Sequence, residues 1–190
     1  ELVFSDNFNV AVPFIDRHLD EGRADKVAIY TIEEEVTYRQ LAQNVNKWGN
    51  ALTDLSLTPG DRALMVVKDC PEFYYLFWGS IKAGIIPVPL NTLLRAKDFA
   101  FIIEDSGCRS VIYSSEFADE VEAALDQVAT KPAHVSMVAG IGESAKTASA
   151  ELSVISATAM SECFWLYSSG TTGEPKGVVH VHRDIVATCE

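Results

Sequence analysis

Apolar positions along the chain change period several times, and each change marks an element. Leu41, Val45, Trp48, Leu52 and Leu55 recur at spacings of four and three, one stripe along a helix, and Thr37 with Gln40 supplies a capping box at its start. Before it, Asn9 to Gly22 reads as a short helix stopping at a glycine. The runs Val27 to Ile32 and Val36 to Tyr38 flank Glu33-Glu34-Glu35, a hairpin with an acidic tip. After it, Thr58-Pro-Gly-Asp61 has the residues of a type II turn and feeds Arg62 to Val67, apolar after its first residue. Such a run suits a strand covered on both faces of a parallel sheet.

Pro71 opens a helix that ends before Gly84, and Ile85 to Leu90 is extended but holds two prolines, which places it at a sheet edge or in a loop crossing a strand end. Beyond lie helix over 95–105, strand over 109–113, helix over 116–129 and strand over 134–138. The alternation predicts an α/β fold, a mostly parallel sheet flanked by helices. From Gly140 to Met160 the chain is rich in Ala, Ser and Thr, which predicts a long surface connection with at most one short element near Leu152 to Ile155. Cys163 to Tyr167 and Gly177 to His182 read as strands, and Arg183 to Glu190 as the start of a helix. The predicted organisation is an α/β body over about 1–139, a connection over about 140–160 and a hairpin over about 163–182.

Composition narrows the function classes. Hydrophobic residues make up 48% of the 190 and charged residues 22%, as in a globular chain, and the net charge is −12. An acidic chain without a basic run is a poor nucleic-acid binder, because that affinity rests on Lys and Arg neutralising phosphates. The chain opens without a secretory apolar region, and no apolar run reaches the ~18 residues of a membrane span, so the expected setting is cytoplasmic and without a membrane partner. Cys70, Cys108, Cys163 and Cys189 form no Cys-x-x-Cys pair and predict reduced, mostly buried thiols.

The densest chemistry is Tyr167-Ser-Ser-Gly-Thr-Thr-Gly-Glu-Pro-Lys-Gly177. Gly170 and Gly173 let the backbone approach an anion without a Cβ in the way, so that successive N–H groups can converge on it. Ser168, Ser169, Thr171 and Thr172 add short donors, and Lys176 adds a point charge on a flexible stem. A Walker A loop is excluded, since Pro175 precedes the lysine and Gly177 follows it. A ligand-free surface turn would suit Ser-Gly-Thr-Thr-Gly alone. The attached Pro-Lys-Gly and an apolar strand on each side favour a polyphosphate cradle between two strands.

This stretch resembles the phosphate-loop signature of the acyl-adenylate-forming enzymes, the superfamily of acyl-CoA synthetases, peptide-synthetase adenylation domains and luciferases. Thr37 to Leu41, Pro59 to Arg62, Lys82 to Gly84 with Pro87 to Asn91, and Glu104 to Gly107 resemble its landmarks in order, so the likeness spans nearly the whole chain. Within the superfamily, Phe8 to His18, Phe77-Trp-Gly79, Phe164 to Ser168 and Val178 to Ile185 are most similar to benzoate-CoA ligases and related aromatic acid-CoA ligases. The resemblance implies ATP-dependent activation of a carboxylate, with Mg²⁺, through an acyl-adenylate to a coenzyme A thioester. It implies that Ser168, Ser169, Gly170, Thr171, Thr172 and Gly173 hold the β- and γ-phosphates and that Lys176 neutralises departing pyrophosphate. It also implies an N-terminal portion of the large adenylation domain, without the C-terminal domain and inactive by itself; a homodimer is left open. Another acyl-CoA synthetase, a carrier-loading adenylation domain and a non-catalytic nucleotide-binding module stay open as alternatives.

Other candidates are weaker. His180 and His182, two apart on a predicted strand, would point the same way, but no acid or cysteine stands at ligand spacing, so no metal site is expected. His182 is expected to pack locally or shape the loop. The aromatics Phe73, Tyr74, Tyr75, Phe77 and Trp78 read as core rather than ligand wall. Glu33 with Glu35 and Glu120 with Glu122 read as solvated surface charge.

Overall fold

In the computed structural model, residues 2–169 and 174–189 are described. A turn of π-helix, Val12–Asp16, runs into α1, Arg17–Asp20, and the segment ends at Gly22, whose φ of +74° a side chain would strain. Strands β1, Val27–Tyr30, and β2, Glu35–Thr37, pair antiparallel as the acidic-tipped hairpin. Helix α2, Tyr38–Asp54, starts at the predicted capping box: Gln40 N–H donates to Thr37 Oγ1 at 3.3 Å and Thr37 N–H donates to Gln40 Oε1 at 2.8 Å. Four of its five stripe residues, Leu41, Val45, Trp48 and Leu52, are buried.

The centre is a parallel four-stranded sheet in the order β4-β3-β5-β6, formed by β3 (Arg62–Val66), β4 (Ile86–Pro89), β5 (Ser110–Tyr113) and β6 (His134–Met137). Alternate residues of β3, with Val67 just after it, divide the core. Ala63, Met65 and Val67 join the cluster under α2, α3 (Pro71–Lys82) and α6 (Val138–Thr147). Leu64 and Val66 join the cluster under α4 (Ala96–Ser106) and α5 (Ala118–Leu125). Both faces of the sheet are therefore covered, which is why β3 and β5 read as unbroken apolar runs. The two prolines of β4 fit the edge: Ile86 N–H donates to Asp61 O just before β3 and Leu90 N–H to Met65 O within it, both 2.9 Å, so Pro87 and Pro89 lack their N–H on the side away from β3.

Ahead of the predicted 163–182 hairpin, the structure corrects the sequence reading at three places. The predicted connection over 140–160 begins as helix α6, whose Val138, Ile141 and Ala145 form a short inner stripe against α2. From 148 to 160 no regular element forms, yet the stretch is held: Asn46 Nδ2 donates to Ala150 O and Asn50 Nδ2 to Ser149 O, both at 2.8 Å, and Leu152 packs into the core. Helix α5 is shorter than the predicted 116–129. A 3₁₀ turn, Ser115–Phe117, precedes it, and the chain leaves the helix so that Val128 is buried and Ala129 N–H donates to Glu104 Oε1 at 2.8 Å. Glu120 is not free surface charge, because its carboxylate accepts from Ala96 N–H at 2.7 Å and from Arg95 at 3.0 Å, closing the start of α4.

Strands β7 (Glu162–Ser169) and β8 (Pro175–Val181) form a separate antiparallel hairpin lying against β4 and α4, followed by α7, His182–Thr188. Among the described residues no helix is long and apolar enough to cross a membrane.

Candidate phosphate-binding hairpin

The hairpin puts the predicted loop between two strands, with Tyr167 opposite Gly177, Ser168 opposite Lys176 and Ser169 opposite Pro175. Ser168 and Lys176 are both exposed, so a hydroxyl and an ammonium face solvent together at the two ends of the loop. Of Ser169 the structure describes the strand backbone, and Gly170, Thr171, Thr172 and Gly173 lie outside the described residues.

The inner face of β7 is anchored by groups that sequence reasoning did not assign. Tyr167 Oη donates to Asp105 Oδ2 at 2.6 Å, across 62 positions of chain, near the C-terminal end of α4. Burial first, and the Asp105 carboxylate second, push the Tyr167 phenol well above its ordinary pKa, so it stays a donor. The guanidinium of Arg62 stands 5.3 Å from the Trp165 ring centroid, and its Nε donates to Ser106 O. Gly177 has a steric reason: a Cβ there would meet the Tyr167 ring at 3.1 Å. The one sequence signal for Asp105 was its place in the Glu104-Asp-Ser-Gly107 landmark.

The two histidines part company, correcting the expectation of a shared strand face. His180 stacks on Phe164 at 4.6 Å between ring centroids. His182 opens α7, is 4% exposed, and accepts the Val10 N–H at Nδ1 over 3.2 Å. Burial lowers its pKa to about 4, which leaves a neutral ring with its proton on Nε2. Its packing role is that of a tie between the N-terminal segment and the end of the hairpin. Phe164 also meets Phe77 edge-on at 5.7 Å, and Phe77 meets Trp78, so the α3 aromatics continue into the hairpin. Tyr75 belongs to the core as expected, whereas Tyr74 is 43% exposed.

Cys108 and Cys163 are buried, and burial raises their thiols to about 11 and about 12, so they are protonated and unreactive. Among the described residues no three His, Cys, Asp or Glu side chains gather at metal-binding spacing, and none is assigned to Mg²⁺. A cleft of about 490 Å³ lies away from the hairpin where β3, β5 and β6 end, and its lysines are taken up by ion pairs, Lys68 with Glu116 and Lys146 with Glu143. Next to His182, a second cleft of about 390 Å³ is walled by Asn9, Gly84, Ile155 and Glu162.

Comparison with known proteins gives a consistent result. The family model described as AMP-binding enzyme matches residues 16–190. A benzoate-CoA ligase of Thauera aromatica is 37% identical over 97% of this chain and 36% of its own length. A 4-hydroxybenzoate-CoA/benzoate-CoA ligase of Rhodopseudomonas palustris is 38% identical over 93% of this chain and 34% of its own length. Among solved structures, an anthranilate CoA ligase in complex with anthranoyl-AMP superposes with a TM-score of 0.90 at 30% identity, covering 97% of this chain and 36% of that one. The chain thus spans about a third of the length of the relatives it matches.

Proposed function

The chain belongs to the AMP-binding enzyme family, and from that premise we propose that it is the phosphate-gripping portion of an acid-thiol ligase that activates an aromatic carboxylic acid of the benzoate type. In this reading a carboxylate oxygen attacks the α-phosphorus of ATP, which arrives with Mg²⁺, and pyrophosphate leaves. The thiol sulfur of coenzyme A then attacks the acyl carbon, and AMP leaves.

The observation that carries the reading is the cross-strand pair Ser168 and Lys176, exposed side by side where the loop leaves and rejoins the hairpin. A lysine on that strand would bring its charge to a departing pyrophosphate bound in the loop, an electrostatic and positional role. Ser168, Ser169 and the residues 170–173 would hold the β- and γ-phosphates through hydroxyls and backbone N–H groups. The aromatic acid is supported by the two benzoate-type relatives, and the protein's setting as a cytoplasmic enzyme is part of the same proposal.

Half-reactions of the full protein test the assignment. Lys176→Ala is expected to slow pyrophosphate release by on the order of 10²-fold, as for loss of one preorganised electrostatic contact, and to leave thioester formation from a preformed adenylate unchanged. Equal loss in both steps would remove the role. Pyrophosphate release across a panel of carboxylic acids tests the substrate class: benzoate and its ring-substituted relatives should be fastest, and a faster aliphatic acid would overturn that part.

A further inference from the structure

The family reading assigns chemistry to the loop and its lysine but leaves open what aims them. A two-stranded hairpin is marginal by itself, and a slip of one residue would turn every side chain of a strand to the opposite face. In β7 such a slip would bring Ser168 inside and Tyr167 out. Something must hold the register, and the inner face of β7 shows what does.

Trp165 and Tyr167 are half-buried and alternate with the exposed Leu166 and Ser168. Both inner residues are held by the end of α4. The Tyr167 phenol donates to Asp105 at 2.6 Å, and Arg62 bonds to Ser106 O while lying over Trp165. Gly177, directly opposite, has no side chain to lift the Tyr167 ring away. Asp105 stands one residue from the C-terminal end of α4, where the helix dipole disfavours a carboxylate, so helix stability does not account for it. Its partner does. Because Tyr167 and Gly177 are the cross-strand pair next to Ser168 and Lys176, fixing the first pair aims the second.

We propose that Asp105 and Tyr167 act as a positioning pair that clips the hairpin to the end of α4 and so holds Ser168 and Lys176 in register for polyphosphate binding. The proposal rests on the phosphate-binding reading above, and neither residue touches ATP in it.

The experiment uses Tyr167→Phe, Asp105→Ala, Asp105→Asn and the Tyr167→Phe/Asp105→Ala double variant in the full protein. Tyr167→Phe and Asp105→Ala should each lower kcat/KM for ATP in pyrophosphate release by about tenfold, mainly through KM, as expected for one lost hydrogen bond to a charged group. Asp105→Asn keeps an acceptor and should stay within about threefold of wild type. The double variant should be no worse than either single one, because both remove the same contact. Thioester formation from a preformed adenylate should not change. Amide exchange of the peptide over 166–178 should accelerate in Tyr167→Phe while α2 and α3 keep their protection. Unchanged kinetics, additive losses, or exchange that rises equally throughout the chain would each overturn the pair. If wild type releases no pyrophosphate with any acid, the functional reading fails first, and the exchange measurement still decides whether the clip exists. Should Tyr167→Phe not fold, Asp105→Ala against Asp105→Asn gives the same comparison.

Discussion

His182 is a histidine that the fold keeps neutral. Its ring accepts a backbone N–H inside the protein, and burial holds its pKa at about 4 against an ordinary 6.5. Between those values the unfolded chain binds a proton that the folded chain refuses, so stability is fully present above pH 6.5 and declines as pH falls toward 4. The decline from this one residue is at most about 1.4 kcal/mol per pH unit. His182→Gln keeps an acceptor without the titration. Urea midpoints at pH 7.5, 5.5 and 4.5 should therefore show the wild-type advantage over His182→Gln shrinking with acidity, and a constant gap would contradict the assignment. At this scale the sequence was informative where chemistry is local. Ser168 and Lys176 were visible because loop and lysine share one short stretch, whereas the partners of Tyr167 and His182 lie 62 and 172 positions away and leave no local pattern.

Elements were legible in proportion to the apolar stripe each shows. Helix α2 has a capping box and a long stripe, and α3 has a proline start and a glycine stop, but the reason they can cross so closely is less visible: a Cβ on Gly79 would stand 2.7 Å from Val45 O and 2.8 Å from Gly49 N. Those are backbone atoms of α2 and cannot swing aside. Gly79→Ala should therefore push the helices apart and cost about 1–3 kcal/mol, the usual range for overpacking. Gly140 is the control. It lies in α6, and a methyl group added there would meet nothing within 4 Å, so Gly140→Ala should stabilise by about 0.5–1 kcal/mol through lower chain entropy. Thermal unfolding of both variants decides the matter, and equal effects would mean that contact distances are not governing. Helix α6 escaped sequence reading for a related reason. Its inner stripe is only Val138, Ile141 and Ala145, and Gly142 faces Trp48 at 3.5 Å from an added Cβ, so close approach replaces bulk.

For the whole molecule, the N-terminal segment closes the fold. Asn9 is 4% exposed and donates to Ile81 O at 3.0 Å and Ile155 O at 3.2 Å, while its Oδ1 accepts from Ala11 N–H at 3.0 Å. One side chain thus joins the chain's start, the last turn of α3 and the stretch before the hairpin, and Val10 beside it reaches His182. The α/β class and the edge strand followed from local pattern, but this closure joins positions 72 to 172 residues apart and had no signal. Asn9→Ala takes the donor from Ile155 O and the acceptor from the buried Ala11 N–H, while Ile81 O keeps the Gly84 N–H at 3.1 Å, and it should cost about 3 kcal/mol, since each unsatisfied buried group costs about 1–3. Asn9→Asp is the sharper test, because a carboxylate is an acceptor facing two carbonyl oxygens. Its folded-state pKa should rise above the unfolded value near 4, so the variant's deficit relative to Asn9→Ala grows as pH climbs from 4 to 7. Chemical denaturation at both pH values measures it. If Asn9→Asp matched wild type at pH 7, the two carbonyl contacts would not be what closes the fold.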